Sequence, residues 1–156
     1  MKLAEALSSR AEAVKKLASL RARIRANAKY QEGEEPQEDA VALLRESDTV
    51  LDSLESLTRR INLTNTTAKL ASGDTITAAI ARRDMLRLKA SLLVDAADAA
   101  SGTTANQWQR QTRSELRNLS ALDVREIRKS ADDVAAELRL LDLAIQEANW
   151  QFELVD

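Results

Sequence analysis

Arg82, Arg83 and Asp84 stand consecutively, with Arg87 one helical turn beyond. Two guanidinium forks beside an orienting carboxylate suit a phosphate or carboxylate ligand, because each fork donates two parallel N–H groups. The plainer use of such a group is ion pairing to acidic residues on a neighbouring helix or subunit, and that use is expected here. Asn62 and Asn65, also one turn apart, lie among Thr64, Thr66 and Thr67. They could contact a polar ligand, but amides and hydroxyls there more commonly satisfy helix-end carbonyls or fix a register. Asp52 with Glu55, and Asp95 with Asp98, have the three-residue spacing of acidic pairs that bind magnesium on helices. Magnesium needs convergent oxygens in near-octahedral geometry. At helical spacing Asp48, Asp52 and Glu55 point away from the apolar stripe around Leu54, and Asp98 leans away from Leu92. No metal site and no cofactor are expected.

Other chemistries are absent by composition. The chain has no histidine and no cysteine. That removes disulfides, thiolate nucleophiles, Ser-His pairs, Cys or His zinc sites and the Glu-x-x-His di-iron pattern. Lys15, Lys16, Arg21, Arg23, Arg25 and Lys29 could track a nucleic-acid backbone. However, the pI is near 5.4, no aromatic interleaves these charges, and an acidic segment follows directly. Nucleic acid is not the expected partner.

Gly occurs three times and Pro once in 156 residues, and aromatics make up 3%. A chain rich in Ala, Leu, Arg and Glu is built for long helices around an aliphatic core. The periodicity predicts an all-α fold, an antiparallel bundle of four long helices forming a single domain over 1–156. The predicted helices cover about 2–28, 37–65, 75–100 and 123–150. The first carries Leu3, Leu7, Val14, Leu17 and Ile24, and the second Leu43, Val50, Leu54, Leu57 and Ile61. The third is assigned the stripe Met85, Leu88, Leu92, Ala96 and Ala99, with Thr75 or Thr77 as N-cap. The fourth opens on Asp123 as N-cap with Glu126 three residues on. Val124, Ile127, Ala131, Val134, Leu138, Leu141, Ile145, Ala148 and Phe152 then follow at three- and four-residue steps. Residues 101–122 form an irregular segment or a short hairpin, and residues 65–74 a plain loop. The expected core draws on Leu7, Val14, Leu17, Leu54, Leu57, Met85, Leu88, Leu92, Val134, Leu138 and Leu141.

Charge alternates along the chain, with a net balance of +6 over 1–30, −8 over 31–56, +5 over 57–94 and −5 over 95–156. Adjacent helices of opposite sign suggest pairing between helices before they suggest a polyanion footprint. No apolar leader follows Met1-Lys2, and no uncharged run approaches the ~20 residues of a membrane span. A cytoplasmic protein without a membrane partner is expected. The glycosylation patterns at Asn62, Asn65 and Asn118 are therefore taken as coincidental.

Several strings together resemble a known family. They are Met1 to Leu7, the loop Asn27 to Pro36, Arg60 to Asn65, Ala81-Arg82-Arg83-Asp84-Met85-Leu86 and Glu147-Ala148-Asn149-Trp150. Arg82-Arg83-Asp84 and Asn149-Trp150 are the most specific, and the similarity spans nearly the whole chain. The chain resembles small all-helical bacterial proteins of unknown function that are often labelled septicolysin. The resemblance implies an all-α fold and supplies no activity for any residue. The label implies a cytolysin, yet no stretch offers lipid an apolar helix or an amphipathic barrel strand.

What remains is a non-enzymatic, self-associating helical scaffold or protein-binding module. The alternative is a small-molecule or nucleotide-handling protein using Arg82, Arg83 and the helix carboxylates. Self-association is expected because Leu44, Leu51, Leu86 and Leu93 widen the apolar faces beyond one stripe. Trp150 and Phe152 also carry the last helix's apolar series to its end, and Trp108 stands in a polar segment. The candidate interface or ligand residues are thus Asn62, Asn65, Arg82, Arg83, Asp84, Trp108, Asn149 and Trp150, with a homo-oligomer or another protein as partner.

Overall fold

A computed structural model describes residues 1–102 and 119–155. The fold is all-α, consistent with a helical bundle, with four long helices. They are α1 (Leu3–Asn27), α2 (Ala40–Thr67), α3 (Ile76–Ser101) and α4 (Val124–Gln151). The chain divides into two compact units, Met1–Ile76 with Gln146–Asp156, and Thr77–Ile145.

In the first unit α1 and α2 run antiparallel, as the ladder of pairs Lys16–Glu46 and Arg23–Glu38 requires. Leu20, Leu43 and Val50 form a buried cluster, with Ala13, Leu17 and Ile24 packed on it. The connection is stitched by one buried amide. Asn27 Nδ2 donates to the Arg23 carbonyl at 2.9 Å, and its Oδ1 accepts the Glu38 N–H at 3.0 Å. α2 starts at Ala40, three residues after the expected start, and its N-cap is Asp39, whose Oδ1 accepts the Val41 and Ala42 N–H groups. A side-chain oxygen at this position satisfies donors that have no partner within the helix.

Residues 65–74 are more ordered than a plain loop. α2 continues to Thr67, and a bridge between Lys69 and Thr75 then closes a tight turn around Gly73 at φ 90°. The Ile76 N–H reaches the Ala68 carbonyl at 3.1 Å, so α3 begins between the two threonines proposed as its cap. The segment after α4 returns to α1. The Leu3 N–H donates to the Phe152 carbonyl at 3.0 Å and the Leu154 N–H to the Met1 carbonyl at 2.8 Å.

In the second unit α3 and α4 are antiparallel, with Ala97 near Ala131 and Arg83 facing Asp142. Asp123 Oδ1 accepts the Arg125 and Glu126 N–H groups, so the predicted cap is formed. The predicted series on α4 is its covered side. Val134, Ile145 and Ala148 are buried, and Val124, Ile127, Ala131, Leu138 and Leu141 are half-buried.

α3 is turned the other way. Its covered side is Ile76, Ala79, Leu86 and Ala97, with Arg83, Ala90 and Leu93 half-buried. Met85, Leu88 and Leu92, assigned to the core, are 60%, 64% and 67% exposed. Val14 is likewise exposed. The cause on α3 is that it carries two apolar stripes. The bulkier one faces water, and the one richer in alanine lies on the covered side, with Arg83 paired to Asp142 of α4. Of the irregular segment, residues 103–118 and hence Trp108 lie outside the described residues, and Ser101 closes α3.

Candidate functional site: two faces of the third helix

The covered edge of α3 carries the arginine cluster. Arg82 Nε donates to Glu137 Oε1 at 3.0 Å. Arg83 Nε and Nη2 both donate to Asp84 Oδ1, at 3.0 and 2.9 Å, and Nε lies 3.9 Å from Asp142 Oδ1. Arg87 Nη2 contacts Asp142 Oδ2 at 3.3 Å, and its Nη1 is 3.9 Å from Asp84 Oδ1. Three guanidinium groups thus face three carboxylates and the local charge cancels. The geometry is that of a seam tying α3 to α4, with Arg83 the most covered of the three arginines at 23% side-chain exposure. An anion entering here would first have to displace carboxylates already held by charge-assisted hydrogen bonds. Glu137 and Asp142 are the partners that the sequence reading did not name. Glu137 lies four residues before Leu141 and Asp142 four after Leu138, which was the available signal, since it puts both acids beside α4's covered stripe.

The polar group at the end of α2 has a structural use. Thr64 is buried, donates Oγ1 to the Arg60 carbonyl at 2.8 Å and accepts the Val155 N–H at 3.0 Å. Arg60 Nε donates to the Val155 carbonyl at 3.2 Å. These two side chains hold both backbone polar groups of Val155. Asn65 is half-buried and Asn62 exposed, the latter lying with Asp52 and Glu55 along an open groove on α2. Asp95 is exposed and Asp98 half-buried. Among the described residues no group of three or more Asp or Glu could hold a metal ion. Asn149 is half-buried and Trp150 is 65% exposed.

The basic face of α1 is partly spoken for by α2. Glu38 and Glu46 are held below the usual carboxylate range, Glu38 by its hydrogen bond to Arg23 and Glu46 by its hydrogen bond to Lys16. Reciprocally, Arg23 is raised by Glu38.

The opposite side of α3 is apolar and open. Residues two apart on a helix differ by about 200° in direction, so Leu88 faces away from where buried Leu86 points. Ala81 extends this outer stripe by one turn. α4 has a sparser outer stripe of Leu140 and Leu143, 70% and 63% exposed. The two-sided helix is the feature of this unit that its own packing leaves unexplained.

Residues 10–154 match the family of unknown function DUF6847. The chain belongs to that family. It is also similar to a solved structure, that of a functionally unknown conserved protein from Corynebacterium diphtheriae. The two are 41% identical with a TM-score of 0.85, and the match covers 99% of each chain. No curated protein matches significantly. Family membership therefore agrees with the small helical proteins of unknown function to which the sequence points, without the septicolysin label. Among the described residues no helix is long and apolar enough to cross a membrane.

Proposed function

We propose that this protein is a non-enzymatic helical module that works by associating with itself, serving as a scaffold or protein-binding platform. The observation that carries this reading is the outer stripe of α3, where Met85, Leu88 and Leu92 are each at least 60% exposed. Burying one such side chain is worth about 1.5–3 kcal/mol. A small domain gains nothing by leaving three of them aligned in water, and contiguous apolar patches mark protein interfaces. Trp150 adds a large exposed aromatic elsewhere on α4, of a residue type enriched at interface centres. The charge-balanced seam around Arg83 favours this reading over the handling of an anionic ligand. The cytolytic role implied by the septicolysin label finds no support in helices of this polarity.

Light scattering on the purified chain at micromolar concentration tests the reading. A mass that is a multiple of 17.2 kDa is expected, and a mass of one chain at every accessible concentration would overturn it. Trp150→Ala should lower the mass or make the melting temperature more dependent on concentration. An unchanged assembly would remove Trp150 from the contact.

A further inference from the structure

Resting on that reading, we propose that the second copy docks on α3 through its own α3, side by side and in parallel, with Met85, Leu88 and Leu92 meeting their counterparts.

Symmetry argues first for α3 against α3. Within the unit, α3 and α4 cover each other, and their exposed stripes lie on the far side of each helix. If α3 of one copy met the outer stripe of α4 in the next, each copy would keep one free stripe. Association would then run head to tail, into a ring or an open chain, instead of stopping at a pair. A contact of α3 with itself satisfies the bulkier stripe on both copies at once and stops at two.

Charge then chooses the direction. In heptad terms Met85 and Leu92 are a positions and Leu88 and Ala81 are d positions. Asp84 is then a g position, and Lys89 is the e position of the next heptad. In a parallel pair each g residue faces the e residue five places further along the partner. Asp84 of one copy therefore meets Lys89 of the other, twice by symmetry. Lys89 is exposed and makes no ion pair among the described residues. Asp84 makes both of its arginine contacts through Oδ1, which leaves Oδ2 for a further cation. The other flanking pairs, Thr77 with Arg82 and Ser91 with Ala96, bring no like charges together. An antiparallel pair centred on Leu88 would instead set Lys89 against Lys89 and Asp84 against Ser91. That arrangement has one repulsion and no attraction.

The chain has no cysteine, so single substitutions report the geometry directly. Leu88→Cys and Ala81→Cys, one heptad apart, should each form a disulfide-linked dimer under mild oxidation of the full chain, because in a parallel pair every d position meets itself. Ala26→Cys on the exposed side of α1 measures random collision and should link far less. Lys89→Glu should weaken self-association about 2- to 10-fold, from the loss of two exposed ion pairs. If Leu88→Cys links and Ala81→Cys does not, the pair is antiparallel and the inference is overturned. If neither links in a protein that scatters as an oligomer, the contact lies off α3, and again only the inference fails. A chain that scatters as a monomer overturns both the inference and the reading beneath it. A Lys89→Glu variant that associates like the parent overturns the parallel register.

Discussion

Leu86 and Leu88 are two residues apart on one helix and have opposite tasks. Leu86 is buried on the covered side of α3, while Leu88 is mostly exposed. Leu86→Ala should cost about 2–4 kcal/mol through lost burial and the cavity left behind. That cost should not depend on protein concentration. Leu88→Ala should leave the single chain within about 0.5 kcal/mol and act only by weakening association, so its effect should grow with concentration. Urea unfolding of both variants at low and high protein concentration separates the two roles. Equal, concentration-independent losses would mean that Leu88 is a core residue after all. Arg83 belongs with Leu86 in this division. Its aliphatic stem lies along the covered face while its head is shared between Asp84 and Asp142, so it acts in packing as well as in charge pairing.

At the scale of elements, the turn into α2 concentrates several small devices. Asp39→Ala removes the acceptor for two N–H groups and should cost about 1 kcal/mol, read from thermal or urea melting. Glu38 supplies a pH dependence. Its folded pKa lies below the usual 4.5, so the unfolded chain takes up its proton first. The stability from this pair is therefore present above the usual carboxylate range and is lost as pH falls through the lowered value. Glu38→Gln should melt below the parent near neutral pH, and the gap should close as pH falls through the lowered value. A gap that stayed constant would assign the loss to packing. Much of this architecture was legible in sequence, and α4 shows why. Its long apolar series outweighs the sparse outer pair Leu140 and Leu143, and its predicted face is the covered one. α3 failed the same test because two stripes compete, and volume favours the wrong one. Sequence spacing shows that a helix is apolar on two sides without showing which side meets its neighbour. The arginine cluster had the same limit. Its use in ion pairing was readable, but its partners Glu137 and Asp142 lie more than fifty positions away along the chain. Thr64 was read as part of a generic polar helix end, because only the fold brings residue 155 to it.

At the scale of the molecule, one unit is contiguous in sequence and the other is not. Residues 77–145 are one continuous stretch that holds most of α3 and α4, whereas the first unit is closed by Gln146–Asp156 returning to the start of α1. The closure is made of backbone bonds at Leu3 and Leu154, the Lys2–Glu153 ion pair, and the hold of Arg60 and Thr64 on Val155. Glu153 is kept below the usual carboxylate range chiefly by its hydrogen bond to Lys2. The ion pair is exposed and contributes little by itself. The apolar anchors decide, since Leu3 is fully buried and Leu154 is 8% exposed. Leu154→Ala should therefore loosen the closure by about 2 kcal/mol, at the low end for a truncated core leucine. Hydrogen exchange reads this locally, because the Leu3 and residue 154 amides are protected only while the closure is made. Both should exchange about thirtyfold faster in the variant, the equivalent of that loss. Amides in the middle of α3 and α4, within the contiguous unit, should keep their rates if the two units open independently. Acceleration of all of them by the same factor would show that the chain unfolds as one cooperative body, with the closure at its ends stabilising both hairpins.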